Sequence, residues 1–169
     1  MKWNKDLIIV KDNFFKKTLF KKIYADLDKV KFVNRFTHAT EKGDQQKIYF
    51  DVHLGPTHPG CIALKSFFKE ELGVNVKALL SYYFLSTKHE KPTIHTDLHK
   101  INCIIYLKGQ SQINNGTGFY EKKKGTYVLN SHIGFKENRA VFFRGDRKHA
   151  SLQFAQGATG RYIMTNFIK

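Results

Sequence analysis

The N-terminal part of the chain carries apolar residues at helical spacing, and the rest carries them in short strand-like runs. "LIIV" (7–10) predicts a short strand. In "KDNFFKKTLFKKIYADLDKV" (11–30), Phe15, Leu19, Ile23 and Leu27 recur every fourth residue and Lys takes the other face, which predicts an amphipathic helix. Asp12 or Asn13 would cap its start. "KIYFDV" (47–52) alternates like a strand. "THPGCIALKSFFKEELG" (57–73) predicts a second helix, stopped by Gly73.

Past Gly73 come "VKALLSYYFLS", "PTIHTD", "INCIIYLK", "GTGFY", "GTYVLN", "RAVFFR", "HASLQF" and "GRYIMTNFI", separated by Gly, Asn and Lys turns. Eight short strands at fairly regular spacing predict a sandwich or barrel. Helices followed by strands predict an α+β, mainly β fold: a jelly roll backed by N-terminal helices. The expected organisation is a single domain, with residues 1–73 as helical support and 74–168 as the core. At 169 residues, 41% of them hydrophobic, the chain can fill one core.

Composition adds less. The formal charge of +15 favours acidic partners such as nucleic acid, a phosphorylated substrate or a membrane surface. Only five of the 29 basic residues are Arg, however. With many Asn, Ile, Phe and Tyr, that is also the residue choice of an AT-rich genome. Cys61 and Cys103 make no disulfide framework, and Cys103 sits in an apolar run. No signal-peptide layout and no membrane-spanning apolar run is visible. The expectation is a soluble protein of the cytoplasm.

The candidate chemistry centres on "PTIHTDLHK" (92–100), where His95, Asp97 and His99 alternate. In a strand, residues two apart share a face, so His95 with Asp97 and Asp97 with His99 are both admissible pairs. Strand character is stronger at Thr93–Thr96, whereas Leu98–Lys100 approaches a turn. A distant His149 opens another predicted strand, and Arg161 opens the last. Two imidazoles and a carboxylate on one face of Fe(II) leave three positions open for a cosubstrate and O₂. A buried Arg can pair in a bidentate way with a dicarboxylate. Taken singly, His95 and Asp97 could be a surface pair, and His149 a cap on "RGDRKH". The Asp51-x-His53 pair lacks a downstream Arg in register and is taken as structural.

This pattern resembles the Fe(II)/2-oxoglutarate-dependent dioxygenase superfamily, and within it the prolyl 4-hydroxylase-like group. The match consists of His95-x-Asp97, a distal His149 and Arg161, supported by "YYFL", "NCIIYL" and "NNGTGFY", and it covers roughly residues 74–168. The resemblance implies a double-stranded β-helix core. It implies that His95, Asp97 and His149 bind Fe(II) and that Arg161 binds the far carboxylate of 2-oxoglutarate. O₂ would then oxidise a substrate C–H bond while 2-oxoglutarate loses CO₂ to give succinate. Tyr82 or Tyr83 would hydrogen-bond the cosubstrate; their opposite parity allows only one to point inward. Asn102 would reach the cosubstrate, support a ligand or simply start a strand. Many members carry Ser or Thr two residues after the Arg; here the position is Ile163, and Thr165 lies one strand step further.

The substrate expected is an unidentified protein side chain or small molecule, selected by loops 86–92, 108–117 and 130–138. Oxidation of a nucleic acid is the alternative that the charge supports. The second Arg typical of the nucleic-acid repair members is missing from the residues after Arg161. A metal-binding module without turnover is the third reading.

Overall fold

The computed structural model describes residues 7–37, 47–86, 93–152 and 161–169. It contains β1 (Ile9–Lys11), α1 (Lys17–Leu27), β2 (Val33–Thr37), β3 (Lys47–Leu54), α2 (Pro59–Leu72), β4 (Leu79–Ser86), β5 (Ile101–Lys108), β6 (Thr117–Lys123), β7 (Thr126–Ile133), β8 (Ala140–Arg144), β9 (His149–Ser151) and β10 (Arg161–Ile168). Seven strands form one sheet in the order β1-β8-β5-β10-β4-β3-β2, and three form a second in the order β7-β6-β9. All the pairings are antiparallel.

The layering follows from β5. Its run "INCIIYLK" is buried at every position but the last, because both faces of the strand are covered. Cys103, Ile105 and Leu107 point toward the helices and join Phe15, Ile23, Leu27, Leu64, Phe68 and Phe142. Ile104 and Tyr106 point toward the smaller sheet and join Phe119, Phe135, Val141, Phe143 and Ile163. A continuous apolar run, rather than an alternating one, is what a strand buried on both faces requires. By contrast β7, at the edge of the smaller sheet, is mostly exposed.

The second helix starts at His58 rather than within a Ser, Thr or Asp cap. The Gly60 N–H donates to His58 Nδ1 (3.1 Å), and Pro follows at the first helical position. Since Nδ1 accepts, the ring proton sits on Nε2, which lies 2.9 Å from Tyr83 Oη. Gly73 ends the helix in the left-handed region, φ 64°.

Three expectations need correction. Neither Asp12 nor Asn13 caps α1; its N-cap is Lys16, which makes no side-chain cap bond. Asp12 is instead held by Arg139 (Nε to Oδ1, 2.6 Å) and Lys136 (2.8 Å), and these cations keep its carboxyl well below the usual range. Asn138 completes that staple: its Oδ1 accepts the Phe15 N–H (2.9 Å) and its Nδ2 donates to Phe15 O (2.9 Å). The segment before α1 is thus tied to the turn before β8, and helix entry is set by tertiary contacts. "PTIHTD" does not form a strand among the described residues; only a single bridge, His95 to His149, appears there. The strand β2 was not anticipated, and β1, β2 and β3 join the large sheet. No helix among the described residues is long and apolar enough to cross a membrane.

Burial holds the His58 imidazole below its ordinary value of 6.5, opposed in part by the charge of Asp26. Folding therefore favours the neutral ring, so its stabilisation is complete above the unfolded value and is lost as pH falls toward the folded one. Urea midpoints should decline from about pH 7.5 to about pH 5. The decline should be shallower in His58→Asn, which keeps a capping oxygen. Superimposable profiles for the two proteins would remove His58 as the cause.

Candidate metal centre

The three candidate ligands come from two segments held together by backbone. His95 and His149 exchange both N–H···O bonds (3.0 Å each way), and the Asp97 N–H donates to Gly145 O (2.7 Å). Gly145 N–H in turn donates to Lys100 O (3.2 Å). This clasp lays residues 95–100 across the "RGDRKH" turn. His95, Asp97 and His149 then offer ligand atoms that all lie within 4.8 Å of one another.

The histidines are oriented alike. His95 Nδ1 lies 2.8 Å from Thr93 O, and His149 Nδ1 lies 2.9 Å from Arg147 O. A carbonyl only accepts, so both Nδ1 atoms carry the proton and both Nε2 lone pairs are left for the centre. That is the usual way a ligating histidine is fixed. His149 Nε2 lies 3.3 Å from Asp97 Oδ2. Asn102 Nδ2 donates to the same carboxylate oxygen. Burial alone would raise the Asp97 pKa; the His149 contact, the charges of His149 and His95, and the Asn102 bond outweigh it and hold the carboxyl below its ordinary value. Once a metal displaces any proton from the two Nε2 atoms, two imidazoles and one carboxylate make a donor set that suits a divalent transition metal.

The walls are apolar on one side. The Phe143 ring stands 4.7 Å from the His149 ring and 5.1 Å from Phe119. A cleft of about 480 Å³ opens beside Asp97, lined by Leu98, His99, Lys100, Ile101, Arg144 and Asp146. His99 is not among the grouped ligands; its ring packs against Phe167 at 5.0 Å. The "RGD" stretch is a tight turn, closed by Arg147 N–H to Arg144 O (3.1 Å) and by the Arg144–Asp146 ion pair.

Arg161 is 3% exposed, and its Nη1 donates to Gly116 O (2.6 Å). Gly116 lies three residues before Phe119, the partner of His149 in the smaller sheet. Along an extended chain Gly116 and Phe119 are about 10 Å apart, so the guanidinium is anchored further along β6's entry than the register position of His149. The face between them carries Tyr106, whose Oη donates to Thr117 Oγ1 (2.8 Å) with Ile133 O at 3.3 Å. Burial raises the Tyr106 phenol, and Arg161 opposes this in part. Tyr106 and Thr117 had not been singled out from sequence, although Tyr106 shares strand parity with Asn102.

The two tyrosines of "YYFL" separate. Tyr83 is buried in the helix-side core with its Oη on His58, so it does not line the site. Burial pushes its phenol above the ordinary range. Tyr82 faces the other way and contacts His53 and Phe167, toward the end of the sheet distant from Arg161. Asn102 supports Asp97 rather than standing idle at a strand start. Thr165 pairs with Tyr82 and Ile104 in register. His38 and His89, and residues 87–92 of the first expected substrate loop, lie outside the described residues.

Known structures share this architecture. A prolyl 4-hydroxylase from Pseudomonas putida superposes with a TM-score of 0.62 at 12% identity, over 96% of this chain and 91% of that one. A protein from Burkholderia pseudomallei, described as an oxidoreductase of the 2OG-Fe(II) oxygenase family, gives 0.66 at 11% identity, over 96% and 84%. HygX from Streptomyces hygroscopicus, solved with nickel and 2-oxoglutarate bound, gives 0.59 at 10% identity, over 95% and 82%. No family model and no curated protein matches the sequence. At these identities the likeness establishes the fold alone, a jelly roll of two antiparallel sheets.

The clasp makes a specific demand at Gly145. A Cβ there would stand 1.9 Å from His99 O and 3.1 Å from Asp97 O, both backbone atoms. Gly145→Ala should cost about 1–3 kcal/mol of stability and weaken Co(II) binding measured by calorimetry. Gly55→Ala, which meets nothing within 4 Å, is the control. Equal behaviour of the two variants would show that the clasp does not set the site.

Proposed function

We propose that this protein is an Fe(II)- and 2-oxoglutarate-dependent oxygenase that hydroxylates a small molecule or a protein side chain. The observation that carries the reading is the convergence of His95, Asp97 and His149 with both Nε2 atoms turned inward. The shared fold and the burial of Arg161 support it.

Bound Fe(II) with 2-oxoglutarate would supply O₂-dependent oxidation of a C–H bond, coupled to loss of CO₂ and release of succinate. His95, Asp97 and His149 would hold the metal. Thr93 O and Arg147 O keep the two rings from rotating, and Asn102 keeps the Asp97 carboxylate turned toward them. Arg161 would pair with the far carboxylate of the cosubstrate. Near Arg161, the Tyr106 and Thr117 hydroxyls would offer the second polar contact that Ile163 cannot. Phe143 and Phe119 would exclude water from the His149 side.

Succinate formation from 2-oxoglutarate, measured with and without Fe(II), tests this reading. His95→Ala, Asp97→Ala and His149→Ala should each abolish metal-dependent turnover, while His99→Ala keeps most of it. Arg161→Ala should raise the 2-oxoglutarate requirement by about 10–100-fold with little change in the Fe(II) requirement. Loss of the metal in His99→Ala alone, or equal effects of Arg161→Ala on both requirements, would contradict the assignment.

A further inference from the structure

The large sheet has seven strands and the smaller has three. The apolar contents of the space between them come mainly from β5, β8 and β10, with Phe84 of β4 at the margin. The inner faces of β3 and of the N-terminal part of β4 reach beyond this core. On that face, starting beside the metal centre, four rings follow one another across three strands and one loop.

His99 packs on Phe167 with centroids 5.0 Å apart. Phe167 stands edge-to-face with Tyr82 at 6.4 Å, and Tyr82 with His53 at 5.3 Å. His99, Phe167 and Tyr82 are half-buried and His53 is exposed, so the row is reached by solvent along its length. The row is continuous with the candidate centre at two points. Phe167 is the register partner of Asn102, which holds Asp97, and His99 is two residues from Asp97. Neither His53 nor His99 makes a side-chain hydrogen bond among the described residues. Their ring nitrogens remain available to a ligand.

We propose that this row of rings is the substrate platform, and that it selects a flat aromatic or heteroaromatic ring bearing polar groups at its edge. Flat rings gain from face and edge contact with aromatic side chains in a way that puckered rings of equal size do not. Histidines at both ends of the row supply donors or acceptors to the ring's polar edge. A ring seated on Phe167 and Tyr82 brings its substituents next to Asp97, where the proposed chemistry takes place. The inference rests on the oxygenase reading for its meaning, but the platform itself is defined by the described rings.

Saturation-transfer NMR on the metal-free protein tests it with three probes: N-acetyltryptophanamide, adenosine, and N-acetylcyclohexylalaninamide as the puckered control. At least one flat probe should bind about tenfold more tightly than the puckered one. Phe167→Leu and Tyr82→Leu should remove that preference, while Arg161→Ala keeps it. The order of the two flat probes tells whether the ring comes from an amino-acid side chain or a nucleobase. Equal binding of flat and puckered probes, no transfer from any probe, or full binding by a folded Phe167→Leu protein would overturn the proposal. Fe(II) and 2-oxoglutarate binding, measured in parallel on Phe167→Leu, should match the parent protein. Failure of Fe(II) and 2-oxoglutarate to bind the parent protein, with the ring preference intact, would sink the oxygenase reading and leave the platform standing.

Discussion

The pair of reciprocal backbone hydrogen bonds between His95 and His149 organises this molecule. The bridge is the only contact of its kind outside the named strands among the described residues. It brings together two segments far apart in sequence, and both ring nitrogens that matter are placed by it. The neighbouring bond from Asp97 N–H to Gly145 O sets the third ligand. Each residue of the triad is thus fixed through its own backbone before any side-chain interaction is considered. The side-chain bonds to Thr93 O, Arg147 O and Asn102 then choose tautomer and rotamer.

A bridge of two hydrogen bonds contributes little by itself, of the order of 1 kcal/mol net for each bond. Its strength comes from what it sits on. Phe143 of the large sheet packs against the His149 ring and, edge-on, against Phe119 of the smaller sheet. β5 is buried on both faces, so it cannot shift without disturbing the helix-side core and the inter-sheet core together. On the far side, the Asp12–Arg139–Lys136 cluster and Asn138 tie the N-terminal segment to the turn before β8. Arg139 belongs to the same turn, through its bond to Gly134 O (2.9 Å). The rigid part of the fold therefore surrounds the ligands, and the edge strand β7 remains exposed.

Much of this was legible in the chain. The run of β5 was readable as a strand, though not its burial on both faces, and Gly73 stopped α2 where a left-handed residue was needed. His95, Asp97 and His149, which the fold brings within 4.8 Å of one another, could be picked out because metal chemistry restricts residue type and number. The reason offered for His95 and Asp97 was incomplete, since Asp97 is placed by the Gly145 carbonyl and not by strand pairing. What sequence did not disclose was tertiary in origin. Asp12 had the right chemistry for a cap, but Arg139 and Lys136 compete for it across 124 residues or more of chain. Tyr82 and Tyr83 could not be separated until the register of β4 against β10 was known. Tyr106 went unnoticed because its importance depends on Thr117 and Arg161, which reach it from other strands.

The proposed roles of His95, Asp97 and His149 as ligands and of the buried Arg161 as cosubstrate anchor make a spectroscopic demand. Anaerobic titration of the purified protein with Fe(II) and 2-oxoglutarate should develop a weak visible metal-to-ligand charge-transfer band. The band should need both components and be missing in Asp97→Ala. A folded protein that binds Fe(II) and gives no band with 2-oxoglutarate would contradict the cosubstrate site and leave a metal-binding module on an oxygenase fold.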